Sequence, residues 1–455
     1  MTAASTVVTV FTEDNSPETH YAFRILFDIL LGIPWKITAD KKSPNPDENF
    51  CLWYGKNQPD KAGEKKKGWM PASGFLSNSE FGFEPEIRAG KYPELFPVQE
   101  NGAQMIHYDL PAAIFFLATE FAHYPPAKTD QYGRPDEAHS FIYKNKIHSY
   151  PLLHFYADSF FEVMQRSGYS GAKKERAFSY EITLDIDQPW KYLNKGFWVN
   201  AGGFFKDFLT GKFSNFSERM QVLFSGRDPY DVYALIRQNL PVAHTRFFFL
   251  VGNYSPNDSR FNPGQIAYAN LIQKLTKEFG FAGGLHPSFL SSENPEILKE
   301  DAKQLRKVLP DFNSSRQHFL KYKPGETFRQ LAAEGIQKEY SICPKTTTGF
   351  PTGMAIPYPW FDIQEKKEST LWIYPAQVMD RALERYSGFS PETAEKEILR
   401  MIATVKAING NFILILHNET FSENGDWLGW KPVCLRIIEK LKSIRADAGN
   451  TQKRD

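Results

Sequence analysis

A handful of side chains in this sequence have the types and spacing for metal-assisted hydrolysis. The run EITLDIDQPW carries Asp185 and Asp187, two residues apart. On an extended strand such a pair points to one face. Two carboxylates on the face of so apolar a run are costly to bury unless a cation or a shared proton stands between them. GGLHPS carries His286, SSRQHFL carries Arg316 and His318, and FILILHNE carries His417 and Glu419. Imidazole and carboxylate donors hold a catalytic divalent ion while leaving one position open. A second carboxylate beside the ion takes a proton from water, and a separate histidine protonates the leaving group. Each residue also has a plainer reading. The aspartates would cap loops, His286 before Pro287 would close a turn, His318 would be bonded inside a core, and His417 would open a polar loop.

The elements around them alternate. Short apolar runs cover Ser179–Ile186, Arg246–Gly252, Phe281–Leu285, Ser314–Leu320, Gly335–Ile342, Leu371–Tyr374 and Asn411–Leu416. Between several of them lie helix-like segments, such as Pro263–Phe279, Pro295–Val308 and Pro391–Ile408, with apolar residues in helical register. Repeated alternation of this kind predicts an α/β fold with a parallel sheet and right-handed crossovers. Closed, seven strands make a (β/α) barrel one strand short of eight; open, they make a doubly wound sheet. In both, ligands sit at the carboxyl ends of strands. Three of the ten histidines and the aspartate pair fall there.

The preceding region reads differently. Val7–Phe11 suits a strand, and Thr19–Leu31 suits a helix stopped by Gly32 and Pro34. Lys56–Gly68 is a solvated loop. Asp109 followed by Leu110-Pro111 starts a helix that is apolar nearly all round and therefore buried. GYSGAKKER, Gly168–Arg176, is the linker, which divides the chain into residues 1–172 and 173–455.

Lysine plus arginine is 54 and aspartate plus glutamate is 53, a net charge of +1. That balance argues against a dedicated nucleic-acid or anionic-membrane binder. No apolar stretch approaches the ~20 residues of a membrane span, and no signal peptide is visible, so the expected location is cytoplasmic. Cys51, Cys343 and Cys434 are far apart and read as reduced, buried thiols. Aromatic residues make up 15% of the chain, enough for a large core or for surfaces that stack on sugars or bases.

From about residue 178 to 420, this ordered series of motifs resembles the polysaccharide deacetylase superfamily, carbohydrate esterase family four. It is closer still to a bacterial subgroup with the runs TLDIDQPW, GLHPSF, SRQHFL, a GF-x-x-G element and HNE. In that subgroup an amino-terminal domain of unknown function comes first. The resemblance implies a distorted seven-stranded (β/α) barrel with an additional amino-terminal α/β domain. It implies a divalent metal ion, zinc, and removal of N- or O-acetyl groups from a carbohydrate. It makes Asp185 the general base, Asp187 and His286 metal ligands, Arg316 a base-orienting or oxyanion contact, and His417 the general acid. The family's second motif has another histidine four residues after the first, where this chain has Leu290. His318 is the expected replacement ligand. The GF-x-x-G element is Gly349–Gly353, with Pro351 where an arginine is usual. Trp190, Tyr254 and Trp360 are expected just after strand ends and are the candidate sugar-stacking residues.

The expected function is therefore a metal-dependent carbohydrate deacetylase. A rival from another class is a catalytically silent glycan-binding protein on the same barrel. A third reading is a metal hydrolase acting on a C–N bond in a small amide.

Overall fold

The structure, a computed structural model, describes residues 6–39, 49–59, 66–99, 104–124, 127–195, 201–203, 205, 209 and 213–451. The core of the solvated loop expected at Lys56–Gly68 lies outside the described residues.

Near the amino terminus, β1 (Val7–Thr12), β2 (Trp35–Thr38), β3 (Asn49–Gly55) and β4 (Lys67–Pro71) form a parallel sheet in the order β2-β1-β3-β4. The β-branched residues of β1 suit its central, buried place. The helix Pro17–Arg24 starts on Ser16, whose side chain accepts from the Thr19 amide, and has proline in its first turn. It continues as a π-helical stretch, Ile25–Leu31, and stops at Gly32, which has φ 61°. The short pair β5 (Ile87–Arg88) and β6 (Glu94–Leu95) is antiparallel. Leu110–Ala118 is helical and buried on every side, as its composition requires.

The second sheet holds β7 (Ser179–Ile186), β8 (Thr245–Leu250), β9 (Ala282–His286), β10 (Ser314–Ser315), β11 (Lys338–Glu339), β12 (Tyr358–Asp362), β13 (Lys367–Ile373), β14 (Val378–Met379) and β15 (Asn411–His417). Its order is β12-β13-β11-β10-β9-β8-β7-β15-β14. All pairs are parallel except β12 with β13. The α/β class and parallel pairing agree with the sequence. A closed seven-stranded barrel is not seen: among the described residues the sheet has nine strands, and no pairing joins β14 to β13 or β12. Two expected long strands, Ser314–Leu320 and Gly335–Ile342, shrink to two residues each. In the first, Phe319 and Leu320 adopt φ 61° and 51°, which ends any extended run. In the second, Gly335 is a turn at φ 79°. The unforeseen β12 contains Pro359, which is tolerated because β12 is an edge strand.

One buried cluster runs through both regions. Val8, Leu52 and Phe115 belong to the same packed core as Ile182, Leu184 and Leu416. Tyr21 Oη donates to the Pro359 carbonyl at 2.9 Å. The Phe350 amide donates to His148 O at 2.6 Å. Gly349 is required here, since a Cβ would stand 2.3 Å from that same oxygen. The Gly349–Gly353 element thus packs against the amino-terminal region, with Pro351 buried within it.

His154 gives this joint a pH dependence. Its Nε2 accepts from the Ala355 amide at 3.0 Å. Burial, helped by Arg176 and Lys173, pushes its pKa down to about 3. The unfolded chain binds a proton near pH 6.5, so stability is full above that value and falls as the pH drops below it, until about pH 3. The expected loss is about 1.4 kcal/mol at pH 5.5 relative to pH 7.5. Chemical unfolding at both pH values should show this loss in the wild type and not in His154→Gln. An equal pH dependence in the two proteins would contradict it.

Candidate metal centre

The carboxyl ends of β7, β9 and β15 and the turn after β10 meet at a cavity of about 220 Å³. Asp185 is the seventh residue of β7 and Asp187 lies just past its end. His286 and His417 are the last residues of β9 and β15. His318 is not on a strand, as its i,i+2 spacing from Arg316 implied. It opens a one-turn 3-10 helix, His318–Leu320. Its side chain still reaches the same point.

Asp187 is the hub. His286 Nε2 lies 3.2 Å from its Oδ1, His318 Nε2 3.7 Å from its Oδ2, and His417 Nε2 3.6 Å from its Oδ2. One donor atom each from Asp187, His286 and His318 all lie within 4.8 Å of one another. Around a tetrahedral ion with bonds of ~2.0–2.1 Å, neighbouring ligand atoms stand roughly 3.3–3.4 Å apart. The observed separations straddle that figure. The buried Oδ1 of Asp187 has no hydrogen-bond partner despite the nearby imidazole. A carboxylate whose Oδ1 faces the His286 nitrogen and whose Oδ2 faces those of His318 and His417, all beyond good hydrogen-bonding geometry, fits a metal ligand better than a plain ion pair.

The outer nitrogens of the rings are each fixed. His286 Nδ1 stands 2.5 Å from Arg316 O, and His318 Nδ1 stands 3.3 Å from Asp258 Oδ1. His417 Nδ1 lies 2.8 Å from Asp380 Oδ1, whose other oxygen accepts from the His417 amide and from Thr420. This is the way ligating histidines are held, with one ring nitrogen bonded outward and the other presented to the site. Burial alone would push His318 down, but Asp187 and Asp258 raise its pKa to about 9. Burial also opposes the charge on Asp187, yet His318, His286 and His417 hold its carboxyl well below the usual range. The cluster attracts positive charge, either a proton or a metal ion in its place.

Arg316 lies beneath the cavity, fully buried. It donates to Asp185 Oδ1 at 2.6 Å, to Thr183 Oγ1 at 2.7 Å and to Tyr340 O at 3.2 Å, and its guanidinium sits 4.5 Å from the Phe248 ring centre. Asp185 is thereby fixed 4.0 Å from His286 Nε2.

Not every expected residue reaches the site. Trp190 packs on Phe261 and Trp360 on Phe328, both in the core. Tyr254 is 46% exposed and lies outside the cavity wall. The aromatic residues that do line it are Tyr132, Phe319 and Tyr386. Asp258 and Asp380 went unread in the sequence. Both follow strand ends, Asp380 directly after β14, but a two-residue strand leaves no periodic trace. The three cysteines are buried and free, as expected. No helix among the described residues is long and apolar enough to cross a membrane.

Residues 8–169 match a family of unknown function, DUF7033. No curated protein matches the chain. Among solved structures, one from Mycobacterium smegmatis described as a polysaccharide deacetylase is similar at 13% identity and a TM-score of 0.37. It covers 60% of this chain and 92% of its own. The Puue allantoinase is similar at 13% identity and a TM-score of 0.37, covering 59% of this chain and 85% of its own. Likeness at that level does not establish shared chemistry.

The bond between His318 and Asp258 has a measurable consequence. Asp258→Asn should weaken zinc binding about 10–100-fold, because the ring loses the charge that orients it and raises its basicity. Competition against a chromophoric chelator measures this. An affinity within twofold of the wild type would contradict it.

Proposed function

We propose that the chain is a metal-dependent hydrolase that removes an acetyl group from a carbohydrate. One observation carries the reading: Asp185, Asp187, His286, His318 and His417 converge on a single cavity at the strand ends. Asp187, His286 and His318 would hold a divalent ion, zinc. Such an ion supplies Lewis-acid polarisation of an acyl oxygen and lowers the pKa of water beside it. Asp185 takes a proton as the water oxygen attacks the acyl carbon. Arg316 keeps that carboxylate aimed at the cavity. His417 gives a proton to the leaving nitrogen or oxygen as the acyl bond breaks, so acetate and a free amine or hydroxyl result. Burial works against a charged His417, yet Asp380 and Asp187 raise its pKa, which suits an acid. We also propose two domains, residues 1–172 and 173–455, sharing one core.

The test is acetate release from acetylated oligosaccharides. Release should vanish on chelation and return with one equivalent of zinc. Bound metal and bound glycan with no acetate would make the chain a silent binding protein. Turnover of small amides alone would make it a different C–N hydrolase.

A further inference from the structure

The cavity wall is not built by the β7–β15 sheet region alone. Tyr132 and Arg134, from the amino-terminal region, line it beside His318. They also line an adjoining cavity of about 430 Å³, together with Tyr386. Small-molecule sites usually measure ~300–1,000 Å³. The first cavity alone falls short of that range, and the second, which shares Tyr132, Arg134 and Tyr386 with it, falls inside it.

These residues sit on a preformed hairpin. Thr129 and Pro135 make an antiparallel bridge, and the tip is Gly133 at φ 78°. Asp130 Oδ1 accepts from the Tyr132 amide at 2.9 Å and the Arg134 amide at 3.0 Å. Its Oδ2 accepts from Arg134 Nε at 2.7 Å. Arg134, 4% exposed, then donates Nη1 to the carbonyl of Phe319 at 2.9 Å. That bond crosses between regions and grips the residue after His318. Phe319 and Leu320 are two successive non-glycine residues in the left-handed region. Such a conformation persists only where the surroundings impose it. Phe319 is held by that clamp and by rings on three sides: His318 at 4.8 Å, Tyr132 at 5.1 Å and Phe289 at 5.3 Å between centres.

We propose that hairpin 129–135 is the glycan-gripping part of this site. Tyr132 and Phe319 form an aromatic wall that packs on the sugar next to the acetylated one. The chain continues past Arg134 and Tyr386 into the adjoining cavity. The ligand is then an oligosaccharide rather than a single sugar, and Arg134 is a positioning residue for the His318 turn. This rests on the carbohydrate reading above.

Calorimetry tests it apart from turnover, in the zinc-loaded Asp185→Asn background. The probes are β-1,4- and β-1,6-linked tetramers of N-acetylglucosamine and the single sugar. Tyr132→Ala should weaken binding of a tetramer at least tenfold, and much less that of the single sugar. Tyr132→Leu, which keeps bulk but loses the ring, should behave alike and guards against misfolding. Equal tetramer affinity with and without Tyr132, an equal loss for both ligands, or no tetramer binding by the parent protein would overturn the inference. Acetate release by the wild type decides the hydrolase reading independently of these outcomes.

Discussion

The Asp187→Ala protein is expected to lose its bound ion, falling from one divalent metal per chain to nearly none. Asp187 supplies the only carboxylate of the donor set, and its Oδ1 makes no well-formed hydrogen bond. Two neutral imidazoles alone would hold zinc far more weakly than the three ligands usual in catalytic sites. Activity should fall at least about 1,000-fold, because several kcal/mol of transition-state stabilisation goes with the ion. The fold should survive, since Asp187 lies past the strand end with 23% of its side chain exposed. Elemental analysis of protein purified without chelator, alongside a thermal melt, measures both. Equal metal content in the two proteins would refute the ligand assignment.

Asp185→Asn separates chemistry from metal binding. The amide keeps the shape but cannot accept the water proton. Metal content should stay near one per chain while kcat drops about 10²–10⁴-fold, the usual worth of a general base. Arg316→Met should cost stability as well as the aim of that carboxylate. It leaves Asp185 buried without its cation, and breaking one side of a buried pair costs about 3–5 kcal/mol. Kinetics and denaturant unfolding on the two variants give the contrast. A kcat within threefold of wild type for Asp185→Asn would remove it from the mechanism.

Much of this arrangement was readable from residues alone. β7 is legible at its observed bounds and β15 to within one residue, because apolar residues dominate the central positions of both parallel strands. The acids and histidines could be placed because strand carboxyl ends converge in such sheets. What escaped depends on contacts distant in sequence. The His318 turn is shaped by Arg134, 184 residues earlier by the numbering, through a bond to a backbone oxygen. Periodicity cannot see a left-handed pair such as Phe319 and Leu320. Pro351 stands where the resembled family has an arginine, and its element packs on His148 and Leu153 and is not part of the cavity lining. Trp190 follows β7 but turns into the core, and Trp360 lies inside the unforeseen edge strand β12 and packs on Phe328, because position along a strand fixes depth and not which face a side chain meets.

The most direct test of the metal centre is anomalous scattering from crystals of the zinc-loaded chain, collected on both sides of the zinc edge. One peak is expected between Asp187, His286 and His318, with both histidine Nε2 atoms at about 2.0–2.1 Å. No peak there, or a His318 ring turned away from Asp187 and His286, would contradict the account.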